Sequence, residues 1–395
     1  MPTKKAPMPT SDTFTDLLLA LTAVSGELPT SLISRIPGAL SYKQKMVTRI
    51  KKDNLLSVYS CNGLRGFRLT GKGKRYLLER RPERYRTLFS GDSTLNAPKY
   101  TVTHRTRLCR MAEVLVTMLN TDVLMFPWEK PMLRQPNESP HDLVLERPAY
   151  YSSLEVKDIG PQGMKIRGSR ATGVLFSEQT LYAVYNTGSA DMRWDNRAET
   201  RLKALMQTEL SRYALQGGTK PHELQAILFA SDMNCLERLL ADADGESGKS
   251  DPGGHERRDT DKAAKARTGY FLLYGSYEHV HLLTNDRKGE LVLRFLTDTF
   301  AKSALDALLM QDLNAADRTS GMDYDAVEKN GRPVLFGYTA DLPRIARFAK
   351  ALDYREKKGM VICFDFQKVA LETLCGEHIT FQCMDLEAVE ETFFD

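Results

Sequence analysis

Four runs of strand length, Leu224–Ala230 (LQAILFA), Val280–Thr284 (VHLLT), Pro333–Tyr338 (PVLFGY) and Met360–Phe366 (MVICFDF), are apolar at nearly every position rather than at alternate ones. A strand with that pattern has to be covered on both faces. Here the runs are separated by helical stretches, MNCLERLLAD, residues 291–312 and LPRIARFAKAL. Continuous apolar strands alternating with helices point to a mostly parallel sheet between helical layers. The expected fold class is therefore α/β. With 395 residues, the chain has room for two or three domains and needs no disulfide or metal staple to hold a core.

The amino-terminal part reads differently. Met1 to Arg110 holds 21 Lys and Arg against 7 Asp and Glu, whereas the remainder holds 34 against 44. A basic module on an acidic body is the charge signature of a docking domain for nucleic acid. Phe14, Leu17, Leu18, Leu21 and Val24 recur at helical spacing behind Ser11 and Asp12, either of which can cap. Pro29 opens a second short helix with Leu32, Ile33 and Ile36 on one face, closed by Pro37-Gly38. A third, SYKQKMVTRIKKDN, turns Met46, Val47 and Ile50 inward and Lys43, Lys45, Arg49, Lys51 and Lys52 outward. Two β-rich runs, LLSVYS and GFRLT, follow around Asn62-Gly63, a strong hairpin signal.

Three helices and a hairpin form the order of a winged helix, whose third helix enters the major groove while the wing touches backbone. Lys43, Gln44, Lys45, Arg49, Lys51 and Lys52, with Arg65 and Arg68 on the wing, are the expected DNA-binding residues. A protein-binding winged helix with a solvated charged face is the alternative.

The domain expectation is a disordered leader over 1–11, the winged helix over 12–95, an α/β domain over 100–240, a disordered insertion over 241–268 and a carboxyl-terminal α/β part over 269–395. The insertion (ADADGESGKSDPGGHERRDTDKAAKART) lacks apolar periodicity. The helix THRTRLCRMAEVLVTMLN is expected to open the second domain. The six cysteines are scattered without a C-x-x-C pair, which argues for a reducing, cytoplasmic setting. No apolar run reaches the ~18–20 residues that span a bilayer.

The segment Pro140-His141-Asp142 to Tyr151-Ser-Ser-Leu-Glu155-Val-Lys157 can be read as a hairpin turning between Pro148 and Ala149. That register sets Asp142 opposite Glu155, with Lys157 on the same face two residues on. Two carboxylates suit a hard cation, Mg²⁺ or Mn²⁺, which can activate water against a phosphodiester, and the lysine can orient that water. The alternative is a solvated strand face.

The spacing resembles the PD-(D/E)xK nuclease superfamily, with His141-Asp142 in place of Pro-Asp. That likeness implies a restriction-endonuclease-like body and assigns Glu113, on the preceding helix, as a further acid. The order of parts, and the stretches YYSSLEVK, SRATGVLF, YAVYNTG and RWDNRAE, resemble the replication-relaxation family of plasmids and integrative elements. The resemblance spans residues 14–215. It implies that Ser153, Glu155, Lys157 and Arg170 line one site near Trp194 and Glu199, with Arg170 on a phosphate.

Weaker candidates are Glu278-His279-Val-His281 and Asp323-Tyr-Asp325, expected to be satisfied or solvated rather than metal-binding, and Tyr150 and Tyr151, expected to pack. No P-loop or G-x-S-x-G motif occurs. The functional expectation is a double-stranded-DNA-binding protein of a bacterial mobile element that nicks at an origin with metal ligands Asp142 and Glu155, in company with replication or transfer machinery, as a monomer or homodimer. The rivals are a non-catalytic regulator or initiator with a degenerate nuclease fold, and a small-molecule sensor.

Overall fold

The computed structural model describes residues 14–89, 101–133, 144–156, 159, 168–188, 194–212, 214–215, 223–240, 268–316 and 321–394. The chain divides into two compact units, Met1–Lys130 and Pro131–Asp395.

In the first unit α1 (Phe14–Ser25) leads through β1 (Leu28–Pro29) and a 3-10 turn, Thr30–Ser34, to α2 (Leu40–Lys52). The hairpin β2 (Leu56–Cys61) and β3 (Leu64–Leu69) follows, then α3 (Gly71–Arg80), α4 (Pro82–Tyr85) and α5 (Val102–Asn120). The two-residue β1 pairs antiparallel with β3, so β3 is the middle of a three-stranded sheet in the order β1-β3-β2. Leu18, Leu19 and Leu21 of α1 are fully buried because α2, α3, α5 and β3 surround that helix. The long helix α5 was expected to open the second domain. Instead its Val114, Leu115, Val116 and Met118 are buried, and the helix packs in this unit against α1, β1 and β3.

The second unit is α/β. Its elements are β4 (Val144–Leu145), β5 (Ala149–Ser152), α6 (Ser153–Val156), β6 (Gly173–Phe176), β7 (Thr180–Gly188), α7 (Asn196–Thr208), β8 (Ala214–Leu215), β9 (Glu223–Ala230), α8 (Cys235–Leu240), α9 (Thr268–Tyr274) and β10 (Val280–Thr284). After these come α10 (Arg287–Thr297), α11 (Thr299–Leu309), β11 (Asn314–Ala315), β12 (Ala326–Val327), β13 (Pro333–Phe336), α12 (Leu342–Tyr354), β14 (Gly359–Phe364), α13 (Lys368–Glu372), β15 (Ile379–Met384) and α14 (Leu386–Phe393).

One five-stranded sheet runs β10-β9-β7-β6-β5. It is an antiparallel meander from β5 to β7, continued by two parallel strands. Ala226–Ala230 on β9 is wholly inaccessible, as the unbroken apolar run requires. The second sheet runs β11-β12-β13-β14-β15, with β13, β14 and β15 parallel and the two short strands antiparallel. It is mixed rather than mostly parallel. Since β10 completes the sheet begun by β5, the expected break between 100–240 and 269–395 is not a boundary between sheets.

Two local expectations change. The run YFLLYG (270–275), whose apolar pattern also suits a strand, is helical as far as Tyr274 in α9, where Phe271 stacks on buried Trp194 with ring centroids 3.8 Å apart. A short apolar run cannot be told from a helix by periodicity alone. The hairpin expected between 142–147 and 150–155 is not found among the described residues: β4 pairs in parallel with β8, and β5 pairs antiparallel with β6. No helix among the described residues is long and apolar enough to cross a membrane.

Candidate functional site

The basic residues of the first unit separate into two groups. On α2, Met46 and Ile50 face the core, while Lys45, Arg49, Lys51 and Lys52 are exposed. None of these four head groups has an ionic or hydrogen-bonding partner among the described residues. Gln44 is exposed and lines an open pocket between α2 and the 3-10 turn, beside Thr30, Ser34, Val47 and Thr48. At the hairpin tip Asn62 (φ 51°) and Gly63 (φ 76°) make a two-residue turn of primed type between Cys61 and Leu64. Arg65 stands exposed just beyond it.

Lys43 and Arg68 are corrections to the expected surface. Lys43 is 2% exposed, and its ammonium donates to the carbonyls of Ser34 (3.0 Å) and Ile36 (2.6 Å), tying α2 to the end of the 3-10 turn. It lies one turn before Met46 and two before Ile50, on the face of α2 that the structure buries. Arg68 lies on β3, the middle strand of the sheet, within its buried stretch Gly66–Leu69, and is 4% exposed.

Arg68 donates through Nε (2.9 Å) and Nη2 (2.7 Å) to Oε2 of Glu27, a carboxylate with no accessible surface. Arg105 of α5 reaches the same carboxylate, with Nη2 2.5 Å from Oε1. It also donates to the carbonyls of Tyr59 (3.2 Å), Cys61 (3.0 Å) and Leu64 (3.0 Å) on both sides of the hairpin tip. The Tyr59 ring lies under both guanidinium groups, 4.2 and 4.6 Å from their carbons. Burial pushes the Glu27 carboxyl up, but the hydrogen bonds and charges of Arg105 and Arg68 outweigh it and hold it below its ordinary value. This network escaped the sequence reading. Its one available signal was an isolated acid, Glu27, between apolar segments of a basic stretch.

In the second unit the described residues of YYSSLEVK, SRATGVLF and YAVYNTG meet through the neighbouring strands β5, β6 and β7. Ser152 pairs with Gly173, the Ser153 amide donates to the Thr172 carbonyl (2.6 Å), and the Thr172 amide donates to Val184 (2.7 Å). Glu155 does not stand on a strand. It sits half-buried in the single turn α6, where Oε2 accepts from the Ser152 amide (2.8 Å) and hydroxyl (2.9 Å). Beside this corner Glu199 is 1% exposed and accepts from Ser169 Oγ (2.9 Å), the Arg170 amide (2.8 Å) and Tyr185 Oη (2.7 Å). Burial pushes its carboxyl up despite those three donors. Glu199 thus anchors the Ser169–Arg170 segment, whose arginine side chain is exposed. Trp194 is buried against Phe271 and Tyr185 as packing.

Asp142, Lys157 and His141 lie outside the described residues. Glu113 lies half-buried on α5, in the other unit from Glu155. Among the described residues no group of three or more His, Cys, Asp and Glu side chains is arranged to hold a metal ion.

The remaining candidates are satisfied polar groups. Asp323 and Asp325 clamp the guanidinium of Arg344 from two sides, with contacts of 2.9 to 3.2 Å. His279 Nδ1 is 2.6 Å from Asp341 Oδ2, and buried His281 lies between the Thr339 carbonyl (3.0 Å) and Gln225 Oε1 (2.9 Å). Tyr150 and Tyr151 are core residues, and Tyr151 Oη donates to the Pro131 carbonyl at 2.8 Å. No family model, curated protein or solved structure matches the chain.

Proposed function

We propose that this chain is a duplex-DNA-binding protein whose first unit is a winged helix. The observation that carries the reading is the exposed row Lys45, Arg49, Lys51 and Lys52 on α2, charged and without partners among the described residues, next in sequence to a hairpin tipped by Arg65. Cations held on a rigid helix and a braced hairpin neutralise phosphates, release counterions and give salt-dependent affinity. Ser41, Tyr42 and Gln44, exposed at the start of α2, are in position to read base edges.

The test is fluorescence anisotropy with a labelled duplex over a salt series. Lys51→Glu combined with Lys52→Glu is expected to weaken binding by on the order of a hundredfold near physiological salt and to flatten the log–log slope by about two. Unchanged affinity would remove the proposal.

The second reading is metal-dependent nicking at an origin of a mobile element, with Asp142 and Glu155 as ligands for Mg²⁺ or Mn²⁺, Lys157 orienting water and Arg170 on a phosphate. It is favoured by the convergence of the Ser152–Glu155, Ser169–Thr172 and Asn196–Glu199 segments at one corner of the sheet. Glu155→Ala should abolish cleavage of supercoiled plasmid and leave duplex affinity unaltered. Binding without cleavage in either protein would favour a regulator or initiator.

A further inference from the structure

We propose that the outer faces of α9 and α12 in the second unit form a platform for single-stranded nucleic acid. The inference extends nucleic-acid binding to a second contact and rests on residues separate from those of α2.

Phe271 and Leu272 bury the inner side of α9, which leaves Tyr270 and Tyr274, four residues apart, 41% and 45% exposed. Their ring centroids are 5.9 Å apart. Across from them, α12 buries Ile345, Phe348, Ala349 and Leu352 and turns Arg347, Lys350 and Tyr354 outward on successive turns. Lys350 joins the helices: its ammonium donates to Tyr274 Oη at 3.0 Å and lies 5.1 Å from the ring centroid. Tyr354 is 90% exposed, far beyond what a tyrosine that completes a core shows. Exposed Arg355, Lys357 and Lys358 continue the cationic run past the end of the helix.

Charge decides between partners. From Arg347 to Lys358 there are five cations against Asp353 and Glu356, in a unit that is otherwise acidic. His378 lies 3.8 Å from Asp353, and the nearby backbone carbonyl of Glu278 accepts from Arg347 Nη1. Accessible phenol rings flanked by cations match a strand that offers base faces and phosphates together. A duplex hides its base faces inside the stack, so the rings select the unpaired strand.

The experiment uses the full chain carrying Lys51→Glu and Lys52→Glu, with labelled oligothymidylate and oligouridylate of about 20 nucleotides as probes. Tyr274→Ala with Tyr354→Ala is expected to reduce affinity for both by on the order of tenfold per ring, and Tyr354→Phe to retain it. Lys350→Glu should lower the salt slope by about one or more. All these side chains are exposed, so melting curves should coincide. Equal affinity with and without the two tyrosines would overturn the platform, as would a change in self-association in place of strand binding. If duplex affinity survives the two α2 substitutions, the duplex reading falls and the platform is untouched.

Discussion

Individual charged side chains in the first unit do opposite jobs according to burial. Glu27, Arg68 and Arg105 form an ion triad with at most 5% side-chain exposure, and removing one partner leaves the others uncompensated in a medium of low dielectric. Arg105→Met is expected to destabilise the unit by about 3–5 kcal/mol, measured by denaturant unfolding. Glu27→Gln adds a pH signature. Because the folded pKa of Glu27 is lowered, its contribution is complete above the ordinary value of 4.5 and is lost as pH falls through the lowered value. The Gln variant should therefore lose part of the wild-type pH dependence below 4.5, and an unaltered acid limb would refute the ion-triad account. Lys43→Met removes two hydrogen bonds to carbonyls without stranding a charge, so its expected cost is smaller, about 1–3 kcal/mol. If Lys43 were instead a DNA contact, the substitution would change affinity and leave stability alone.

The secondary elements were legible where local chemistry is strong. Asn62-Gly63 announced the hairpin, and both residues adopt the positive φ that a primed turn demands. Gly63→Val should cost about 1–2 kcal/mol through strain at φ 76°, and it should weaken duplex binding if the wing tip must keep its shape. The register of the 142–157 segment was not legible. Pairing Asp142 with Glu155 assumed that neighbouring runs pair with each other. The tertiary structure gives β5 to β6 and β4 to β8, partners that lie far along the chain and that no local pattern in the segment marks. The turn α6 formed for a local reason the pattern did not display: Glu155 reaches back to the amide and hydroxyl of Ser152.

Across the second unit, the two five-stranded sheets meet where Thr339–Asp341 runs along the open edge of β10, with a bridge between His281 and Asp341 and a bond from the Leu282 amide to the Ala340 carbonyl at 3.1 Å. Asp341 also accepts from His279 and starts α12 by accepting from the Arg344 amide. The hydrogen bond to Asp341 raises the His279 pKa against burial, which lowers it. The bonds and charges of His279 and His281 keep the Asp341 carboxyl low against burial. The sign follows: the histidine contribution is full below 6.5 and is lost as pH rises through its raised value, and the aspartate contribution is full above 3.8. The junction is strongest between those limits. His279→Gln should flatten the fall in melting temperature above 6.5, and an unchanged profile would show that the pair does not tie the sheets.

The sequence by itself determined the α/β class of the body, the basic helix and hairpin of the first unit, and the strands whose unbroken apolar runs had to be covered on both faces. Those features follow from periodicity, turn chemistry and local charge, which act over a few residues. Only the tertiary structure decided that α5 belongs to the first unit, that Lys43 and Arg68 are interior while Lys45, Arg49 and Arg65 are not, and that Tyr270, Tyr274 and Tyr354 share one pair of helices. A charged or aromatic side chain carries no local mark of whether it will be desolvated. That depends on what another part of the chain lays over it, as Arg105 does for Glu27 across 78 positions.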